Sequence, residues 1–142
     1  MRTWPVPFVW LICAAAAAVV AFWGGQDKQG QFSLELLGTS LPALLFFVGP
    51  YFVLAVAALV GKSHEQLSFS VLVATAVLAA IGVWAQWIDH DTYLRTPPGR
   101  EVTPMLGFLA TLLLWLGSAA LLLTVGATVA RRKAAVGRAA RD

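Results

Sequence analysis

The densest group of side chains capable of chemistry is Asp89-His90-Asp91. Two carboxylates and an imidazole are donor types that hold a divalent cation, and a histidine among acids can instead report external pH. Glu101, across the polar segment that follows, is a further acid nearby. Helical spacing works against a shared ligand, because neighbouring residues on an α-helix project about 100° apart. The preferred expectation is therefore a solvated helix end whose acids pair with Arg95 or Arg100. Asp89, His90 and Asp91 stand as the metal or pH-sensing candidates, and His64-Glu65 reads the same way.

A second pattern is polar but neutral. Thr75, Ala79, Gly82 and Gln86 recur at helical spacing, and Thr111 and Ser118 follow Gly107 in a similar way. Such stripes either pack helices closely, with hydroxyl and amide groups bonding across, or line a narrow cleft for a small neutral solute. Packing is the preferred expectation. Pro50 lies mid-run after Gly49 and should free the carbonyl of Phe46 and bend its helix. Tyr51 beside it offers a hydroxyl to the freed group.

Other chemistries lack their residues. Cys13 is the single cysteine, so neither an internal disulfide nor a paired-thiol redox centre can form. His64 and His90 fall outside the apolar runs and on opposite sides of them, which argues against haem held between helices. A proton-coupled drug exporter needs a carboxylate within the membrane, and Glu35 precedes the second run. No P-loop, zinc-protease or nucleophile-elbow pattern occurs. The sequence implies no cofactor and marks no enzyme.

The elements that must carry these residues follow from charge placement. Hydrophobic residues make up 59% of the 142 and charged ones 12%, roughly half the usual quarter, which is too little charge to coat a soluble domain. No Asp, Glu, Lys or Arg occurs in Thr3–Gln26, Leu36–Gly61, Gln66–Ile88 or Val102–Ala130. Each run exceeds the roughly 20 residues that carry a helix across about 30 Å of hydrocarbon, and each is apolar all round. The expected fold is all-α: an integral membrane protein with four transmembrane helices in one up-down bundle. The spans are about 4–23, 40–61, 67–88 and 104–130, with a basic tail over 131–142.

Several boundaries carry their own signals. The first run is longer than the 7–15-residue core of a signal peptide and has Phe22-Trp23 after its small residues, so it reads as a retained helix. Gly24–Gln31 is a flexible loop, and Phe32–Leu37 lies along the interface before a cap at Thr39-Ser40. Lys62–Glu65 is short enough to make the second and third spans antiparallel neighbours. Pro97-Pro98 excludes helix in the loop after the third span. The fourth uncharged run would measure about 43 Å as helix, so it must tilt or protrude.

With the N-terminus inside, Arg2, Lys62, Arg131, Arg132, Lys133, Arg138 and Arg141 are cytoplasmic, against Lys28, Arg95 and Arg100 outside. That asymmetry favours both termini in the cytoplasm. Trp4, Trp23, Trp84, Trp87 and Tyr93 then fall at the interfaces, whereas Trp10 and Trp115 fall mid-bilayer and should face neighbouring helices. The basic tail suits an anionic leaflet rather than nucleic acid.

The composition fits a small bacterial inner-membrane protein without evident catalytic machinery. The leading expectation is an interaction protein, either an accessory subunit of a membrane complex or an immunity-type protein, with a protein partner or a second copy in the bilayer. The alternatives are a channel or uncoupled transporter for a neutral solute between the third and fourth spans, and an outer-facing metal or pH sensor.

Overall fold

The computed structural model describes residues 5–39, 41–97, 99–100 and 105–139. Arg2, Trp4, Ser40, Pro98, Glu101, Pro104 and Arg141, each given a place above, lie outside the described residues. The described chain is all-helical: α1 Pro5–Gly24, α2 Leu34–Thr39, α3 Leu41–Gly61, α4 Glu65–Arg95 and α5 Met105–Ala139. Among the described residues four helices, α1, α3, α4 and α5, are long and apolar enough to cross a membrane. Large apolar side chains cover much of their exposed surface: Phe52 is 71% exposed and Leu123 73%. Water would penalise such a coat heavily, and lipid does not.

Two helices outrun the charges expected to end them. Helix α4 continues beyond Ile88 to Arg95 because nothing in that stretch breaks a helix. The Asp91–Arg95 ion pair, at 2.9 Å, spans one turn, and Thr92 Oγ1 donates to the Ile88 carbonyl. The helix stops at Thr96, which is extended as a residue before proline must be. Helix α5 runs through Arg131-Arg132-Lys133 to Ala139, since alanine, arginine and lysine are strong helix formers. Charge bounds the apolar span there without ending the helix.

The loop after α1 is more ordered than its glycines suggest. The Asp27 carboxylate accepts from the amides of both Gln29 and Gln31 at 2.8 Å, while Gly30 takes the positive φ that closes the turn. Phe32 folds back to stack on Phe22 with ring centroids 5.5 Å apart. A short helix, α2, then leads into α3.

Helices α3 and α4 each pack against the other three long helices, whereas α1 and α5 do not meet among the described residues. The cross-section is thus a rhombus with α3 and α4 on its short diagonal. Val9, Cys13, Ala16 and Val20 of α1 meet Tyr51, Leu54 and Ala58 of α3 and Val71 and Ala79 of α4 in the core, which Leu114 and Val125 of α5 complete. The turn between α3 and α4 is held by Ser68 Oγ, which donates to the Gly61 carbonyl at 3.0 Å.

Candidate functional site

The two neutral stripes meet. Gln86 Nε2 donates to the Gly107 carbonyl at 3.3 Å and to Thr111 Oγ1 at 3.2 Å. The Thr111 hydroxyl in turn donates to the same carbonyl at 2.7 Å. A carbonyl only accepts, so this contact fixes which end of the Gln86 amide is nitrogen. The two acceptors are themselves only 2.7 Å apart, so a single N–H of that nitrogen, shared between them, joins α4 to α5. The close approach depends on Gly107, where a Cβ would sit 2.9 Å from Gln86 Nε2.

Asp89, three residues beyond Gln86, extends the α4 stripe by one turn. Its Oδ2 accepts the Gly107 N–H at 2.6 Å, satisfying an amide in the first turn of α5 that has no helical partner. The other members of its cluster go elsewhere. The His90 ring stacks on Trp23 of α1 at 5.7 Å and 17°, and Asp91 pairs with Arg95. Asp89, His90 and Asp91 thus engage three different elements. Among the described residues no three His, Cys, Asp or Glu side chains converge as a metal site would need. At the other end of the bundle His64 Nδ1 lies 3.4 Å from Arg132 of α5.

Pro50 lies inside α3 opposite a donor from α5. The Phe46 carbonyl, deprived of its helical N–H, accepts instead from Trp115 Nε1 of α5 at 3.0 Å. The freed group thus goes to Trp115 rather than to the Tyr51 hydroxyl. Gly49 makes room, because any Cβ there would overlap the Trp115 ring. Phe46 also stacks on Phe108 of α5 at 5.4 Å. Of the two mid-span tryptophans, Trp115 meets a neighbouring helix as expected, while Trp10 is 48% exposed at the edge of an α1–α3 cleft.

Thr75 and Ser118 are both fully buried but do not bond across helices. Ser118 Oγ donates to the Trp115 carbonyl of its own helix. The Thr75 hydroxyl has no partner among the described residues. Replacing Thr75 with valine, of the same shape, removes an unsatisfied polar atom and is expected to stabilise the bundle by about 1 kcal/mol. Chemical denaturation in detergent measures this, and a loss of stability would mean the hydroxyl has a partner in the membrane.

Three concavities adjoin these seams. A shallow lateral groove of about 700 Å³ between α1 and α4 is lined by alanines of both helices together with Ile12, Val19, Val83 and three tryptophans, Trp23, Trp84 and Trp87. A cavity of about 420 Å³ lies at the Gln86–Asp89 end, between α1, α2, α3 and α4. A smaller cleft of about 330 Å³ separates α1 from α3. Polar groups border the second of them: Gln26, Gln86, Asp89, His90 and Tyr93. The first and third are almost wholly apolar.

The chain matches no family model, no curated protein and no solved structure.

Proposed function

We propose that the protein is a non-enzymatic interaction protein of the bacterial inner membrane, an up-down bundle with both termini cytoplasmic, that seats a transmembrane helix of another membrane protein. The supporting observation is the groove between α1 and α4. Ala15, Ala16, Ala76, Ala79 and Ala80 contribute to its lining and leave part of it without side-chain bulk. Lipid chains are as apolar as any helix, so association inside a bilayer depends on backbones approaching closely over small residues. Large apolar side chains cover much of the remaining lipid-facing surface, among them Phe52, Leu116 and Leu123. An accessory subunit or an immunity-type protein would use such a groove alike.

A solute path between α4 and α5 has less support, because the Gln86 amide that would face the solute is bonded to Gly107 and Thr111.

The test is a photo-crosslinking residue at Ala80, inside the groove, compared with one at Leu116, on the exposed face of α5. In the native membrane, position 80 should yield one defined protein adduct of a different chain and position 116 none. Ala76→Trp, which fills the groove from an exposed position, should reduce that adduct about tenfold, the effect of losing about 1.4 kcal/mol of binding. Equal labelling from both faces, or lipid adducts alone, would refute the reading, and an adduct with a second copy would replace it with self-association.

A further inference from the structure

The geometry points to a binding site for an ammonium-bearing amphiphile in the 420 Å³ cavity, a site separate from the lateral groove although Trp23 borders both. The volume lies within the range of small-molecule sites, about 300–1,000 Å³. Its walls are two-natured: Leu37, Leu44 and Phe47 on one side, and Gln86, Asp89 and Tyr93 on the other.

Hydrogen-bond accounting decides the class of occupant. Gln86 turns one N–H, shared between Gly107 and Thr111, toward α5, leaving its Oε1 without a partner among the described residues. Asp89 has used Oδ2 on the Gly107 amide, leaving Oδ1 equally unspent. Gln26 donates its nitrogen to the Gly30 carbonyl at 3.2 Å, which likewise leaves an acceptor oxygen. Three acceptors, one of them on a carboxylate, therefore belong to residues that border the cavity, beside the His90 ring and the Tyr93 hydroxyl, and none of its described lining residues is Lys or Arg. An anion would meet the Asp89 charge without compensation, and a neutral alcohol would leave acceptors unpaired. A group with several N–H donors, or a cation against aromatic faces, answers both needs. Trp23, Phe47 and Tyr93 supply those faces, and the Tyr93 ring already attracts the Lys28 ammonium, 5.7 Å from its centroid. The apolar wall then accepts a hydrocarbon body. An aminophospholipid headgroup and a soluble alkylamine share this chemistry.

The experiment titrates n-hexylammonium, hexanol and hexanoate into the full chain in phosphatidylglycerol nanodiscs by calorimetry. Saturable one-to-one binding is expected for hexylammonium alone. Asp89→Asn keeps an acceptor for the Gly107 amide but removes the charge, and should weaken binding about tenfold or more. Should that variant not fold, Tyr93→Leu gives the same reading by removing an aromatic face. Repeating the titration with phosphatidylethanolamine in the discs separates the sources. Binding suppressed by that lipid assigns the site to the headgroup, and unchanged binding assigns it to a soluble amine. Equal binding of hexanol or hexanoate, no saturable hexylammonium binding in phosphatidylglycerol discs, or unchanged affinity in the folded variants would overturn the assignment.

Discussion

Trp115→Ala is expected to destabilise the folded bundle by about 2–4 kcal/mol, read as a lower midpoint in a denaturation series in mild detergent. Two losses combine. The indole fills the space opposite Gly49, and its N–H is the donor that the Phe46 carbonyl takes in place of the one proline lacks. The ring is only part-buried and lipid replaces some of its contacts, which holds the loss below that of a tryptophan enclosed in a soluble core. Trp115→Phe isolates the hydrogen bond and should cost about 1–2 kcal/mol. The discriminating variant is Pro50→Ala, which restores an N–H at residue 50 for the Phe46 carbonyl. In that background Trp115→Phe should cost about 1 kcal/mol less, a coupling that a double-mutant cycle reads directly. Strictly additive effects would show that the indole contributes packing alone.

The same joint shows what a sequence can carry. Proline at position 50 implies a freed carbonyl at Phe46 with no structural knowledge, because the lost bond is fixed by helix geometry. Which donor answers it is a tertiary fact. Tyr51, adjacent in sequence, and Trp115, distant in sequence, were equally able to donate, and only the register of α3 against α5 selects the indole. The four spans were legible for a related reason: crossing lipid requires apolar length, and that is written locally. Helix ends were less legible. Charges at Asp89 and Arg131 mark where apolar surface stops, but backbone hydrogen bonding continues until a true breaker such as Pro97 intervenes.

The candidate site follows the same division. The stripes on α4 and α5 were visible as periodicity, and their meeting at Gln86, Gly107 and Thr111 follows from the small residues between them. Sequence adjacency groups Asp89 with His90 and Asp91, yet on a helix it belongs with Gln86, three residues back. Helical phase, extended one turn past the apolar run, would have placed Asp89 on the α5 seam. The lateral groove had no sequence signal of its own, since alanines in α1 and α4 look alike whether they face a neighbour, lipid or an open furrow.

A close three-helix contact gives the second large effect. At Gly82 three helices converge: a Cβ would overlap Leu114 Cδ1 of α5 and stand 2.6 Å from Tyr51 Oη of α3. Both atoms end side chains that could swing away on a surface, but Leu114 is 2% exposed and Tyr51 1%, so neither has space to move into. Gly82→Ala recovers about 1 kcal/mol of helix propensity against this overlap and should be net destabilising by about 1–2 kcal/mol. Gly82→Val adds two further carbons with a weaker helix preference and should cost about 3 kcal/mol or more, enough to separate α4 from its neighbours. Leu114→Ala alone opens a cavity and should cost about 2–3 kcal/mol. Combined with Gly82→Val it vacates the space the valine needs, so the double variant should be more stable than the sum of the two losses by at least about 1 kcal/mol. Thermal or denaturant unfolding of the four proteins in one detergent decides it. If the losses simply add, Gly82 is not the contact that sets how closely α4 approaches α3 and α5.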